Sequence, residues 1–112
     1  SLHFMINIQN AVIKKYYNKY KCYINHTILN QNEISKMVAI ENTILSRLDV
    51  KDKRPILQIR DLLNQKHIKL FSNNTLKDNY ENFRVVLKIS GIWETDDEYG
   101  VTYKFSVIRP VT

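Results

Sequence analysis

The ten residues KKYYNKYKCY, from Lys14 to Tyr23, interleave four lysines with four tyrosines. Ammonium groups neutralise phosphates, and tyrosine rings stack on unpaired bases at ~1 to 3 kcal/mol each. The segment therefore carries the chemistry of a surface for single-stranded nucleic acid. The same residue types also suit a packed helix, with tyrosines turned inward and lysines reaching to the rim. A second basic group, Arg84, Lys88 and Lys104, falls on the polar side of two alternating segments near the C-terminus. Three cations on a two-stranded ribbon can follow a phosphate backbone.

Other chemistries find less support. Asp96, Asp97 and Glu98 offer oxygens to a hard cation, but they lack the spaced ligand ladder of a calcium loop. His26, His67 and Cys22 have no zinc-like spacing. Cys22 lies among lysines that would lower a thiol pKa, yet no histidine and acid pair stands in sequence to activate it. Gly91 and Gly100 are the only glycines, which excludes the glycine-rich phosphate loops. The expectation is a protein without catalytic residues, cofactor or metal, and so a non-enzymatic one.

Charge supports a polyanionic partner. The chain has 112 residues and a formal net charge of +6. Residues 1–32 hold four lysines and no acid, whereas residues 83–112 balance four basic against four acidic side chains. Attraction to a polyanion is thus expected through the N-terminal third. No run approaches the ~18 apolar residues of a membrane span, so no membrane association is expected. The single cysteine forms no internal disulfide, which favours an intracellular setting, nucleus or cytoplasm. Two sequons, at Asn25 and Asn73, read as accidents of an asparagine-rich chain. The leading SLHF reads as a scar from a cleaved tag, leaving residues 5–112 as one domain.

The elements that would position these residues follow from periodicity. Over Gln9–Asn30, Val12, Ile13, Tyr16, Tyr17, Tyr20, Tyr23, Ile24 and Ile28 share one helical arc, which predicts an amphipathic helix; a pair of strands is the competing reading. NEISKMVAIENTILSRL predicts a second helix capped by Asn32. PILQIRDLLNQ predicts a third, with Asp52 as a cap and Pro55 in its first turn. Taking that third helix as a DNA recognition helix is disfavoured, because its outer face has one cation and the following hairpin tip is acidic.

His67–Phe71 alternates and reads as a short strand, and SNNTLKDNYEN as a polar loop. In the last third, Val85, Leu87, Ile89 and Trp93 point one way, as do Val101, Tyr103, Phe105 and Val107. This predicts a β-hairpin with Trp93 opposite Val101 and Gly91 opposite Tyr103. Gly100 is expected to supply positive φ at the loop exit, and the acids to keep the tip solvated.

The fold expected is α+β: three N-terminal helices followed by a small antiparallel sheet of about three strands ending in a hairpin. The function expected is binding of DNA or RNA, single-stranded or sequence-tolerant, through Lys14, Lys15, Lys19, Lys21, Arg84, Lys88 and Lys104. The alternative is a protein-interaction or oligomerisation module in which the tyrosine-rich segment is an interface.

Overall fold

Two-residue periodicity, not the helical kind, governs the first third of the chain. In the computed structural model, which describes residues 1–108, Leu2–Tyr16 forms strand β1 and Lys19–Tyr23 forms β2. Ile6 and Ile8 face the core; Asn10, at φ 53, shifts the alternation by one residue, and Ala11 and Ile13 continue it. After the turn at Tyr17–Asn18, Tyr20, Cys22 and Ile24 are buried in the same alternating manner. The helix expected over Gln9–Asn30 is therefore replaced by a hairpin and the start of a later helix. Ile, Val and Tyr spaced by two and by three or four residues fit both periods. Their β-branched and aromatic side chains favour the pleated solution once neighbouring strands are available to pack on them.

The remaining elements are α1 (Ile28–Ser46), β3 (Arg54–Pro55), α2 (Gln58–Asn64), β4 (His67–Leu70), β5 (Asn79–Glu94) and β6 (Glu98–Val107). They make one mixed sheet in the order β3-β6-β5-β1-β2-β4, antiparallel throughout except for the short β3–β6 pair. The chain is α+β, but two helices and six strands replace the three leading helices and the sheet of about three strands. Pro55 is in β3, not in a helix, and Asp52 takes φ 63 in the connector instead of capping one. Thr27, not Asn32, caps α1, its Oγ1 accepting from Asn30 N–H at 3.2 Å. Leu2, His3 and Phe4, expected to be part of a tag scar, pair with Ile89, Lys88 and Leu87 as the first rungs of β1. No helix is long and apolar enough to cross a membrane among the described residues.

The sheet curls until its ends meet. Phe71 N–H donates to Phe105 C=O at 3.0 Å, and Val107 N–H donates to Phe71 C=O at 3.3 Å, so the end of β4 reaches β6. The inner face packs Ile6, Ile8, Cys22, Ile68, Leu70, Phe83, Val85, Leu87, Val101 and Phe105 with Met37 and Leu45 of α1 and Ile59 and Leu63 of α2. The outer face is left to solvent, and this is the fold's main consequence for function.

Two buried polar side chains attach the helices. The first half of β1 has β5 on one edge only, because β2 joins it no earlier than Val12. Helix α1 covers the open edge. Asn30 Oδ1 accepts from Gln9 N–H at 2.7 Å, and its Nδ2 donates to Gln9 C=O at 2.9 Å, reproducing the bonds of a missing strand. Glu33 accepts from Asn7 N–H, and Lys36 donates to Met5 C=O, so the edge offers few free groups to another chain.

Glu41 does the same for α2. Leu57 gives that helix no side-chain cap, and the Glu41 carboxylate accepts from Ile59 N–H at 2.9 Å and Arg60 N–H at 3.1 Å. A carboxylate at the positive end of a helix is a favourable partner for orphan amides.

The C-terminal hairpin is formed as expected in outline, but its register differs. Trp93 stands opposite Gly100 and Gly91 opposite Thr102, because the ladder shifts by one between Ile89 and Gly91. It is the Trp93 ring, half-buried, that covers a glycine: a Cβ on Gly100 would lie 2.7 Å from it. Gly100 has no positive φ and is required for close approach instead. Asp96 and Asp97 are exposed at the tip, whereas Glu98 and the preceding Glu94 are ion-paired. Lys53 pairs with Glu94 at 2.8 Å and Arg54 with Glu98 at 3.3 Å, clamping the α1–α2 connector to the hairpin.

Candidate nucleic-acid interface

Residues opposite one another in antiparallel strands point to the same face. With Ile13 and Cys22 inward, their neighbours Lys14 and Lys21 face outward as a directly opposed pair. Lys21 is in turn opposite Lys69 of β4. Three lysines thus stand in one row across three strands on the open face. On one side of the row, Val12, Tyr23 and His67 form the next rung. On the other, Tyr16 stands opposite Lys19, and Phe71 emerges just past Leu70.

Rings and ammonium groups alternate within this face. Lys14 Nζ lies 5.3 Å from the Tyr23 ring centroid, Lys21 Nζ 4.8 Å from Tyr16 and Lys104 Nζ 4.5 Å from Phe71. Tyr23 and His67 lean on each other with centroids 5.6 Å apart. Phe71 remains 48% exposed. Each cation–π contact contributes ~0.5 to 1 kcal/mol at an exposed site. That helps hold the lysines in place without neutralising them.

Neutralisation is what the face lacks. Strands β1, β2 and β4 hold five lysines and no aspartate or glutamate. Among the described residues, the ion pairs involve Lys36, Lys53, Arg54 and Arg60, and none of the lysines of this face. Like charges directly opposite each other destabilise a sheet, so the row carries a repulsive cost that the cation–π contacts of Lys14 and Lys21 offset in part.

The second basic group is on the same outer side. Lys88 stands directly opposite Lys104, with His3 on the far side of Lys88, and Arg84 lies four residues back along β5. Phe71 bridges the two groups, since its backbone meets β6 at Ser106 and its ring lies under Lys104. The structure thus brings Lys14, Lys19, Lys21, Arg84, Lys88 and Lys104 onto the outer surface. Lys15 shares the side of Tyr20 and is exposed at the rim, where β1 ends. Sequence reasoning singled out Tyr23 with the other tyrosines of its segment but missed Lys69, His67 and Phe71 as companions. The outward positions of HIKLF were legible as polar, but nothing in the chain pointed to β2 as the neighbour of β4.

The remaining candidates take structural places. Cys22 is fully buried, and burial pushes its thiol up to about 12, so it is no ready nucleophile at neutral pH. Burial also pushes the Glu41 carboxyl upward, opposed by its two backbone N–H bonds. Tyr103 is raised too, chiefly by burial and then by the nearby Glu41 charge. Among the described residues no three His, Cys, Asp or Glu side chains gather as a metal site requires.

A groove of about 700 Å³ opens beside Phe71, between the 72–77 loop and the strands bearing Tyr80 and Lys104. Tyr80 O–H accepts from Lys77 N–H and Tyr20 O–H from Leu76 N–H, fixing the loop's far end. No family model, curated protein or solved structure matches the chain.

Proposed function

We propose that this protein binds single-stranded nucleic acid, with little sequence preference and without catalysis, across the outer face of β1, β2, β4 and β6. The observation that carries the reading is the row Lys14–Lys21–Lys69, three lysines opposed across adjacent strands without a carboxylate among them. A polyanion would relieve that repulsion, and the interleaved rings of Tyr16, Tyr23 and Phe71 offer stacking planes for bases that are not paired. Duplex grooves fit less well. The acidic tip at Asp96 and Asp97 projects from the same sheet, and among the described residues neither helix has more than one cation to offer a major groove.

The test is binding of labelled oligonucleotides, single-stranded and duplex, at about 50 and about 200 mM salt. Tight binding of single strands that falls log-linearly with salt is expected. The triple change K14Q/K21Q/K69Q should weaken binding across all sequences and reduce the salt slope by ~0.7 for each phosphate that no longer meets a lysine. Absence of binding at the lower salt would sink the reading.

The alternative, a protein-interaction module, draws on Ile28 and Leu29, which are 77% and 59% exposed at the start of α1. A molar mass above that of the monomer, lost on changing both to serine, would favour it.

A further inference from the structure

The tip of the basic hairpin contains a residue that packing does not explain. Tyr16 pairs with Lys19, so Tyr17 and Asn18 are the two central residues of the turn. Two-residue hairpin turns require positive φ because of strand twist, and they place glycine, asparagine or aspartate there. Here Tyr17 takes the position, at φ 51, while Asn18 beside it does not have positive φ. The other three such residues have ready explanations. Asn10 and Asp52 are types that tolerate the left-handed region. Lys66 ends α2, its N–H donating to Leu63 C=O at 2.9 Å.

Nothing comparable compensates Tyr17. Its side chain is 94% exposed, so the edge-on approach to Tyr16, with centroids 6.3 Å apart, covers almost none of the ring. A bulky residue held in a sparsely populated conformation, with its apolar surface in water, marks a position kept for something other than stability. Its neighbours indicate what. Lys15 and Lys19 flank it, and Tyr16, Lys19, Lys21 and Phe71 follow it onto the open face.

We propose that Tyr17 is a base-stacking residue: its ring caps an unpaired nucleobase at the end of the strand path whose phosphates the lysines hold. The proposal rests on the single-strand reading and adds a residue, a ligand group and a place. Because the turn suits glycine better than tyrosine, the ring can be removed without harming the fold. This separates the functional role from a structural one.

The experiment compares wild type, Tyr17→Gly and Tyr17→Phe in thermal melting and in anisotropy titrations with a fluorescent single strand. A matched strand of abasic sugar-phosphates serves as the second probe. Tyr17→Gly should melt at or above the wild-type temperature yet bind the base-bearing strand about tenfold more weakly, as expected when one base is no longer stacked. Tyr17→Phe should bind as wild type, and all three proteins should bind the abasic strand alike.

A Tyr17→Gly protein that melts lower would show that the ring supports the turn and overturn the inference. Equal affinity of wild type and Tyr17→Gly for the base-bearing strand would also overturn it, provided that K14Q/K21Q/K69Q still weakens binding. If no wild-type binding is found even at about 50 mM salt, the underlying single-strand reading falls as well.

Discussion

The two hairpins of this protein end in opposite ways. The β5–β6 tip is satisfied by its own surroundings. Thr95 N–H donates to Glu98 C=O at 2.8 Å, Thr95 Oγ1 accepts from Glu98 N–H at 3.1 Å, and Glu94 and Glu98 are ion-paired to the connector. Trp93 lies on Gly100 and donates through Nε1 to Gln58 Oε1 at 3.2 Å. The β1–β2 tip has a tyrosine in a conformation suited to glycine, lysines opposite lysines, and no carboxylate. The pairing of β1 with β5 sets these tips at opposite ends of the sheet, one acidic and one basic. One hairpin is built to hold the domain together, and the other leaves its chemistry unspent.

The largest loss is expected where the support of the acidic hairpin is removed. Glu41→Ala strips α2 of the acceptor for two amides and empties a fully buried site, and α2 carries Gln58 to Trp93. A loss of about 3 kcal/mol in urea unfolding is expected, since each orphaned buried group costs ~1 to 3 kcal/mol.

The pH dependence has a definite sign. The raised carboxyl holds its proton more tightly in the folded chain than in the unfolded one. Stability from this group is therefore full below the ordinary glutamate value and falls as pH climbs through the raised one. Glu41→Gln, which has no such proton, should flatten that decline when unfolding is measured from acid to neutral pH.

Within the acidic hairpin itself the two glycines should respond differently. Gly100→Ala sets a Cβ against the Trp93 ring and should cost about 2 kcal/mol, as overpacking does. Gly91→Ala meets nothing within 4 Å and should change stability by no more than ~0.5 kcal/mol. Equal effects in thermal melts would contradict the close approach of ring and backbone.

The smallest effect has the reverse sign and belongs to the basic hairpin. K14Q/K21Q/K69Q should raise stability at low salt by about 0.5 to 1 kcal/mol, with the gain shrinking as salt is added. A loss of stability would mean that the aliphatic stems of these lysines pack more than their charges repel.

Much of the second half of the chain was legible in its residues. Alternation in FRVVLKIS and VTYKFSV placed Leu87, Phe105, Val101 and Tyr103 inward and Arg84, Lys88 and Lys104 outward, because a two-residue period survives any choice of partner. The apolar spacing of NEISKMVAIENTIL marked α1, and HIKLF marked β4. The register of the C-terminal hairpin was not legible. A single-residue irregularity between Ile89 and Gly91 gives no local signal, yet it decides which residue faces Gly100.

The first third was ambiguous for a physical reason. Helical and pleated periods coincide over Val12–Tyr23 when large side chains occupy almost every second and every third or fourth position. What resolves the ambiguity is pairing: Val12–Tyr16 pairs with Lys19–Tyr23, β4 joins β2 from Tyr20 to Tyr23, and β5 lies beside the rest of β1 from Leu2 to Val12.

By itself the sequence determined a basic N-terminal third, an acidic hairpin tip, one cysteine and enough alternating apolar residues for a core; these are properties of composition and local period. Tertiary structure alone decided that Lys69 joins Lys14 and Lys21, that Phe71 connects them to Lys104, and that Tyr17 sits at the tip of the turn. Strand pairing is non-local. A row across a sheet is assembled from residues far apart in the chain, and only the closed arrangement of β1, β2, β4 and β6 brings them onto one face.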